Sequence, residues 1–146
     1  MSQYFDMGDE TLWNPSNGAS RMFLRQVAVF EAELELPSGL GPMENDECQI
    51  DRAVFETFVD ALLARHRRTS HGILLALSEG FTATVLALAE RAGIRVDWEQ
   101  LGSGLPGGLE DVQVSAATGM SAPPEAGPWG AGLRERAREL GRHMAR

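Results

Sequence analysis

The sequence predicts a helix-dominated α+β fold: a short N-terminal hairpin and one strand packed on three helices, then a flexible linker and a C-terminal helix. Three observations predict it. Apolar residues recur at three- and four-residue spacing over three segments between about residues 15 and 92. Short runs suited to strands stand at 3–13 and 94–98. Residues 101–128 hold six Gly and four Pro with no sustained period. The chain therefore divides into a compact domain over 1–100, a linker over 101–128 and an amphipathic, locally basic helix over 129–146.

In QYFDMGDETLW, residues 3–13, two brief apolar-containing runs flank Gly8-Asp9, a dipeptide suited to a hairpin turn. Asn14 can cap the first helix, with Pro15 at its first position. Met22, Phe23, Gln26, Val27, Phe30 and Leu34 make its apolar stripe, to about Glu35. Pro37, Gly39, Gly41 and Pro42 break it, and residues 37–50 read as loop. Asp51 suits the N-cap of a second helix to about Arg68. Its stripe is Val54, Phe55, Phe58, Val59, Leu62, Leu63 and His66, and its last turn carries Arg65, Arg67 and Arg68.

Thr69 or Ser70 suits the cap of a third helix that ends near Ala92-Gly93. That helix is apolar nearly all round, with Glu79, Thr82 and Glu90 on a polar strip. Such a helix is central, or it forms an oligomer interface, so a homodimer through residues 70–92 is an alternative. IRVDW, residues 94–98, reads as the strand that joins the hairpin. Val112 and Val114 allow a brief further strand inside the linker. In the tail, Leu133, Ala137, Leu140 and Met144 form a narrow stripe, and Glu135–Arg138 and Glu139–Arg142 are spaced to support a helix.

Composition narrows the function classes. The chain has 146 residues, 43% of them hydrophobic, enough for one core without disulfides or structural metal. Cys48 is the single cysteine, which excludes an internal disulfide and a cysteine-based metal site. MSQYFDMGDE lacks the basic region and apolar run of a secretory signal, and no stretch is expected to be long and apolar enough to span a membrane. A cytoplasmic location without a membrane partner is the expectation. All 13 basic residues are Arg, a usage that suggests a GC-rich genome. The formal charge of −8 sits wholly in residues 1–51, where ten acids face two Arg; residues 52–100 and 101–146 each balance. An acidic surface repels phosphate backbones, so the main domain is not expected to bind nucleic acid. It would suit a basic partner, and it is equally what keeps a small domain soluble.

Each candidate motif carries an ordinary structural alternative. Residues 102–107, GSGLPG, match G-x-G-x-x-G literally, but Pro106 lies inside and no helix opens after it, so a dinucleotide site is not supported. Glu44, Asp46, Glu47 and Asp51 place four carboxylates in eight residues. Their spacing is not that of a calcium loop, and acids near a helix start stabilise it in any case. Cys48 in that acidic company should have a raised pKa, which argues against a nucleophile. His66 sits on the apolar line of its helix, where a histidine is usually packed; folding of the 44–51 loop over the helix's far end would let Glu44 or Glu47 reach it. Glu79 interrupts an apolar helix ahead of Gly80; it is an acid–base candidate or one more exposed glutamate.

YFDMGDETLWNPSN, residues 4–17, and GPMENDECQID, residues 41–51, followed by a helix with Phe55 and Phe58, resemble an uncharacterised family of small proteins from high-GC Gram-positive bacteria. The resemblance covers about residues 1–98. It implies no activity, cofactor or catalytic residue. It does point to Trp13, Asn14 and the acids Glu44, Asp46, Glu47 and Asp51 as a place to seek a binding site.

The expected function is a non-catalytic protein-interaction module, accessory or regulatory, acting on another protein. It would act through the acidic surface or through the tethered helix, with Leu133, Leu140 and Met144 as the docking face. One alternative is a small enzyme or small-molecule-binding protein with a carboxylate-lined pocket, in which Glu79, His66 and Glu47 supply the polar groups. Another is a toxin-neutralising immunity protein, since acidic surfaces suit basic toxins. No metal and no cofactor are expected. Docking of the tail helix on its own domain and on a partner are both open.

Overall fold

Two four-residue strands, β1 (Tyr4–Met7) and β2 (Glu10–Trp13), pair antiparallel around Gly8, which takes φ +62° at the turn. The computed structural model describes residues 2–96 and 126–146, and in the last helix the side chains from Gly132 onward. The third strand is not the expected 94–98. It is β3 (Glu47–Gln49), which runs parallel to β1 and puts β1 at the centre of a β2-β1-β3 sheet. Residues 94–96 form no strand: the Ile94 N–H donates to the Ala89 carbonyl and closes the preceding helix. Asp97, Trp98, the G-x-G-x-x-G run, Val112, Val114 and most of the expected linker lie outside the described residues.

The segment expected to be loop is thus partly sheet. It turns back tightly at Glu44–Glu47, where the two residues exchange backbone hydrogen bonds of 2.9 Å and Asn45 and Asp46 both have positive φ. That is the geometry of a two-residue primed turn, which Asn and Asp tolerate. Gly39 brings the same segment onto the start of the second helix. Its φ is +83°, and a Cβ there would stand 2.7 Å from the Phe55 nitrogen, so glycine is required on both counts.

Helix α1 (Asn17–Leu34) begins two residues later than the Asn14 cap would have it: Ser16 is the N-cap, and its hydroxyl accepts from the Ala19 N–H. Phe23 and Val27 are buried, whereas Met22 and Gln26, expected in the stripe, are exposed. Helix α2 (Arg52–Arg68) has Asp51 as its N-cap, as expected, accepting from the Val54 N–H at 3.0 Å. Helix α3 (Gly72–Arg91) is capped by His71, whose Nδ1 accepts from the Leu74 N–H, rather than by Thr69 or Ser70. Arg52 donates to the carbonyls of Ala92 and Gly93, satisfying groups that the end of α3 leaves open.

By length and composition α3 is apolar enough to cross a membrane, against expectation: 20 residues, mean hydropathy 1.7. Half of that window is buried inside the fold, the common case for a core helix. The burial is uneven. From Phe81 to Ala89 only Thr84 keeps appreciable exposure, while most of 72–80 is open to solvent. Helix α4 (Ala126–His143), which starts before the expected 129, packs along α3 and adds Leu133 and Ala137 to the core, and Met144 just past its end joins them. The core is otherwise built from Phe5, Leu12, Phe55, Phe58, Leu62, Leu86 and Leu88, all nearly or fully buried.

Candidate functional site

An aromatic chain leads from the sheet to an enclosed cleft. Phe5 stacks on Trp13 at 5.4 Å, Trp13 meets Phe23 edge-on at 5.4 Å, and Phe23 meets Phe81 at 5.8 Å. Phe81 then stacks on Phe30 at 4.2 Å between centroids. Phe30 forms a wall of the cleft. Rings in these arrangements add to ordinary burial, so Trp13 has a sufficient structural role as an anchor between sheet and α1.

The cleft, about 230 Å³, lies where α1, the end of α2 and the start of α3 meet, far from the sheet. Val29 and Phe30 of α1, Leu62 of α2, and Leu74 and Leu77 of α3 make it mainly apolar. His66, Ser78 and Thr82 add polar groups, and Glu33 and Arg65 form an ion pair of 3.1 Å beside them. The Ser78 hydroxyl donates to the Leu74 carbonyl at 2.7 Å, which leaves it poorly placed as a nucleophile. Thr82 is fully buried, and its hydroxyl has no hydrogen-bond partner among the described residues. A buried hydroxyl without a partner is costly, and this one belongs to a residue lining a cleft.

His66 is 8% exposed, as its place on the apolar line of α2 suggested. Burial lowers its pKa below the ordinary 6.5, and the Glu79 carboxylate opposes that shift. The carboxylate acting on His66 is therefore Glu79, not Glu44 or Glu47. Glu44 opens the turn before β3 and Glu47 begins β3, toward the start of α2, while His66 is in the last turn of α2.

The acids of residues 44–51 make local contacts. Asp51 caps α2, the Asp46 carboxylate accepts from Gln3, and Glu44 and Glu47 flank the turn. No group of three or more acidic, histidine or cysteine side chains could hold a metal among the described residues. Cys48 is buried beneath that segment. Burial first, then the Asp6 carboxylate, push its thiol up to about 11, so it stays protonated and unreactive at neutral pH. The expected direction was right, but the main cause is burial.

Asn14 is covered by the end of the chain: its N–H donates to the Ala145 carbonyl at 2.9 Å. Leu133 and Met144 face α3 and are buried, and Leu140 packs against the same core.

The chain belongs to a family of unknown function (DUF6086), whose model matches residues 1–146. The match runs through the tail, beyond the residues 1–98 that carry the resemblance. No curated protein and no solved structure matches the chain. The family thus supplies no residue roles.

Sequence reasoning missed two features. The helical wheel places Thr82 on a polar strip with Glu79 and Glu90, and it cannot show that Thr82 alone of the three is buried. The rim of the cleft was missed because a helix apolar nearly all round is expected to be covered, and only the packing exposes Leu77. One signal was available: a helix apolar on every side needs cover on every side, and two neighbouring helices plus a tail do not provide it at both ends.

Proposed function

We propose that this chain is a non-catalytic protein-interaction module that receives an amphipathic, acid-flanked segment of another protein in the cleft between α1, α2 and α3. The observation that carries the reading is an apolar rim in open solvent: Val29 is 58% and Leu77 72% exposed, and both line the apolar cleft. Contiguous exposed apolar surface of this kind marks interaction sites, and an apolar groove between helices suits a helical anchor. Charge supports the choice of segment. Arg65, Arg67 and Arg68 lie in the last turn of α2, and no carboxylate occurs between residues 61 and 78, so acidic flanks would be steered to the mouth.

Leu77→Asp and Val29→Asp test the reading, since exposed positions tolerate exchange with little loss of stability. The module is supported if a partner segment identified by capture, then purified, binds the full chain and loses that binding with either variant. Undiminished binding by both variants overturns it.

A second reading is favoured by one observation, the buried Thr82 hydroxyl. It would suit a small neutral molecule with an apolar body and one polar head. A cavity of about 150 Å³ holds benzene, so a phenol is a fitting probe. Nuclear magnetic resonance shifts confined to the cleft on adding p-cresol, and lost in Thr82→Val, would favour this reading over the first.

A further inference from the structure

A second groove lies on the opposite side of α3, independent of the cleft. Arg91 of α3 and Arg138, Arg142 and Arg146 of the tail line it, with a volume of about 460 Å³. Arg138 and Arg142 are four apart, which stacks them on one side of α4, and Arg146 joins them from beyond the helix end. Like charges at that spacing disfavour a helix, and here a fourth guanidinium from α3 joins them. Glu90 is the acidic residue of the lining. Two weak exposed pairs offset the charge in part: Arg142 with Glu135 at 3.8 Å and Arg146 with Glu10 at 3.5 Å. Arg138 has no carboxylate partner among the described residues. So four cations share one groove on a chain whose formal charge is −8.

The groove is also fixed in shape. Arg91 donates to the carbonyls of Leu12, Gly141 and Met144, which ties β2, α3 and the end of the tail together. Ala87, Ala137 and Gly141 are small and leave room between the helices. The Arg91 guanidinium is held below its ordinary value, first by burial and then by the Arg146 guanidinium, as expected where like charges crowd.

We propose that this groove binds a linear polyphosphate anion, either inorganic or carried by a nucleotide. Arg138 and Arg142 stand about 6 Å apart along the axis of α4, and Arg146 follows beyond the helix end, so the set of guanidiniums suits an anion with several phosphates rather than one. Guanidinium forks match phosphate oxygens with paired, charge-assisted hydrogen bonds. A long nucleic acid is the poorer occupant, because it would have to lie against the acidic remainder of the chain.

The experiment is calorimetric titration of the full chain with sodium tripolyphosphate, ATP and orthophosphate at matched ionic strength. Tripolyphosphate binds about tenfold or more tightly than orthophosphate, because it engages more guanidiniums. ATP binding as tightly as tripolyphosphate fits recognition of the phosphates alone, and tighter binding names a nucleotide as the source. The double variant Arg138→Gln/Arg142→Gln weakens both about tenfold or more, while its thermal midpoint without ligand stays that of the parent. No binding, equal binding of orthophosphate, or full binding by the double variant overturns the proposal.

Discussion

His66 shows how one residue's surroundings decide its chemistry. On an exposed helix it would be half-protonated near pH 6.5. Here burial disfavours the imidazolium, and Glu79 offsets only part of that. The folded chain therefore resists a proton that the unfolded chain accepts. For a base whose folded pKa is lowered, its stabilising contribution is complete above the unfolded pKa and declines as pH falls below it. The thermal midpoint should drop between pH 7 and pH 5.5, with up to about 1.4 kcal/mol lost per pH unit in that window. His66→Gln should flatten the slope over the same range. Equal slopes in the two proteins would overturn the assignment to His66. That His66 is packed was legible from its place on the stripe of α2. That Glu79 acts on it was not, since thirteen residues and a turn separate them.

At the scale of elements, α3 is two helices in function. Its second half is core: Phe81, Val85, Leu86 and Leu88 are each 2% exposed or less. Its first half ends at the cleft, with Ile73 and Leu77 in water. Leu86→Ala should cost about 2–5 kcal/mol in urea unfolding, through lost burial and the cavity left behind. Leu77→Ala, two turns earlier in the same helix, should change stability by about 0.5 kcal/mol or less. Similar losses at both sites would mean that the first half is covered in solution, as by a second copy of the chain. The contrast also explains what was legible in the sequence. Helix positions followed from apolar spacing and from Asp51 and Gly93, because those signals are local. β3 did not, because it is three residues long with one buried side chain, and its pairing with β1 crosses more than forty residues. The caps of α1 and α3 moved by one or two residues, since adjacent Asn, Ser, Thr and His can all accept from a free N–H.

At the scale of the molecule, the two described segments fold as one. Leu133, Ala137 and Met144 join the core, Arg91 holds the carbonyls of Gly141 and Met144, and Asn14 donates to Ala145. A tail free to dock elsewhere would leave the buried half of α3, one guanidinium and one backbone N–H without these partners. A few kcal/mol for each large apolar side chain withdrawn from a core is a sizeable part of the ~5–15 kcal/mol that holds a domain together. Removal of residues 126–146 should therefore bring the remaining chain to the edge of unfolding, with a lowered thermal midpoint and a loss of helical circular dichroism larger than the missing helix accounts for. A synthetic peptide of residues 126–146, added in trans, should raise the midpoint as its concentration rises, as any species that binds only the folded state must. A peptide carrying Ala137→Asp should fail to do so, because that position is fully buried against the core. If the shortened chain keeps the midpoint of the full chain, the tail is an appendage, and the interaction reading then regains the docking helix as its second arm.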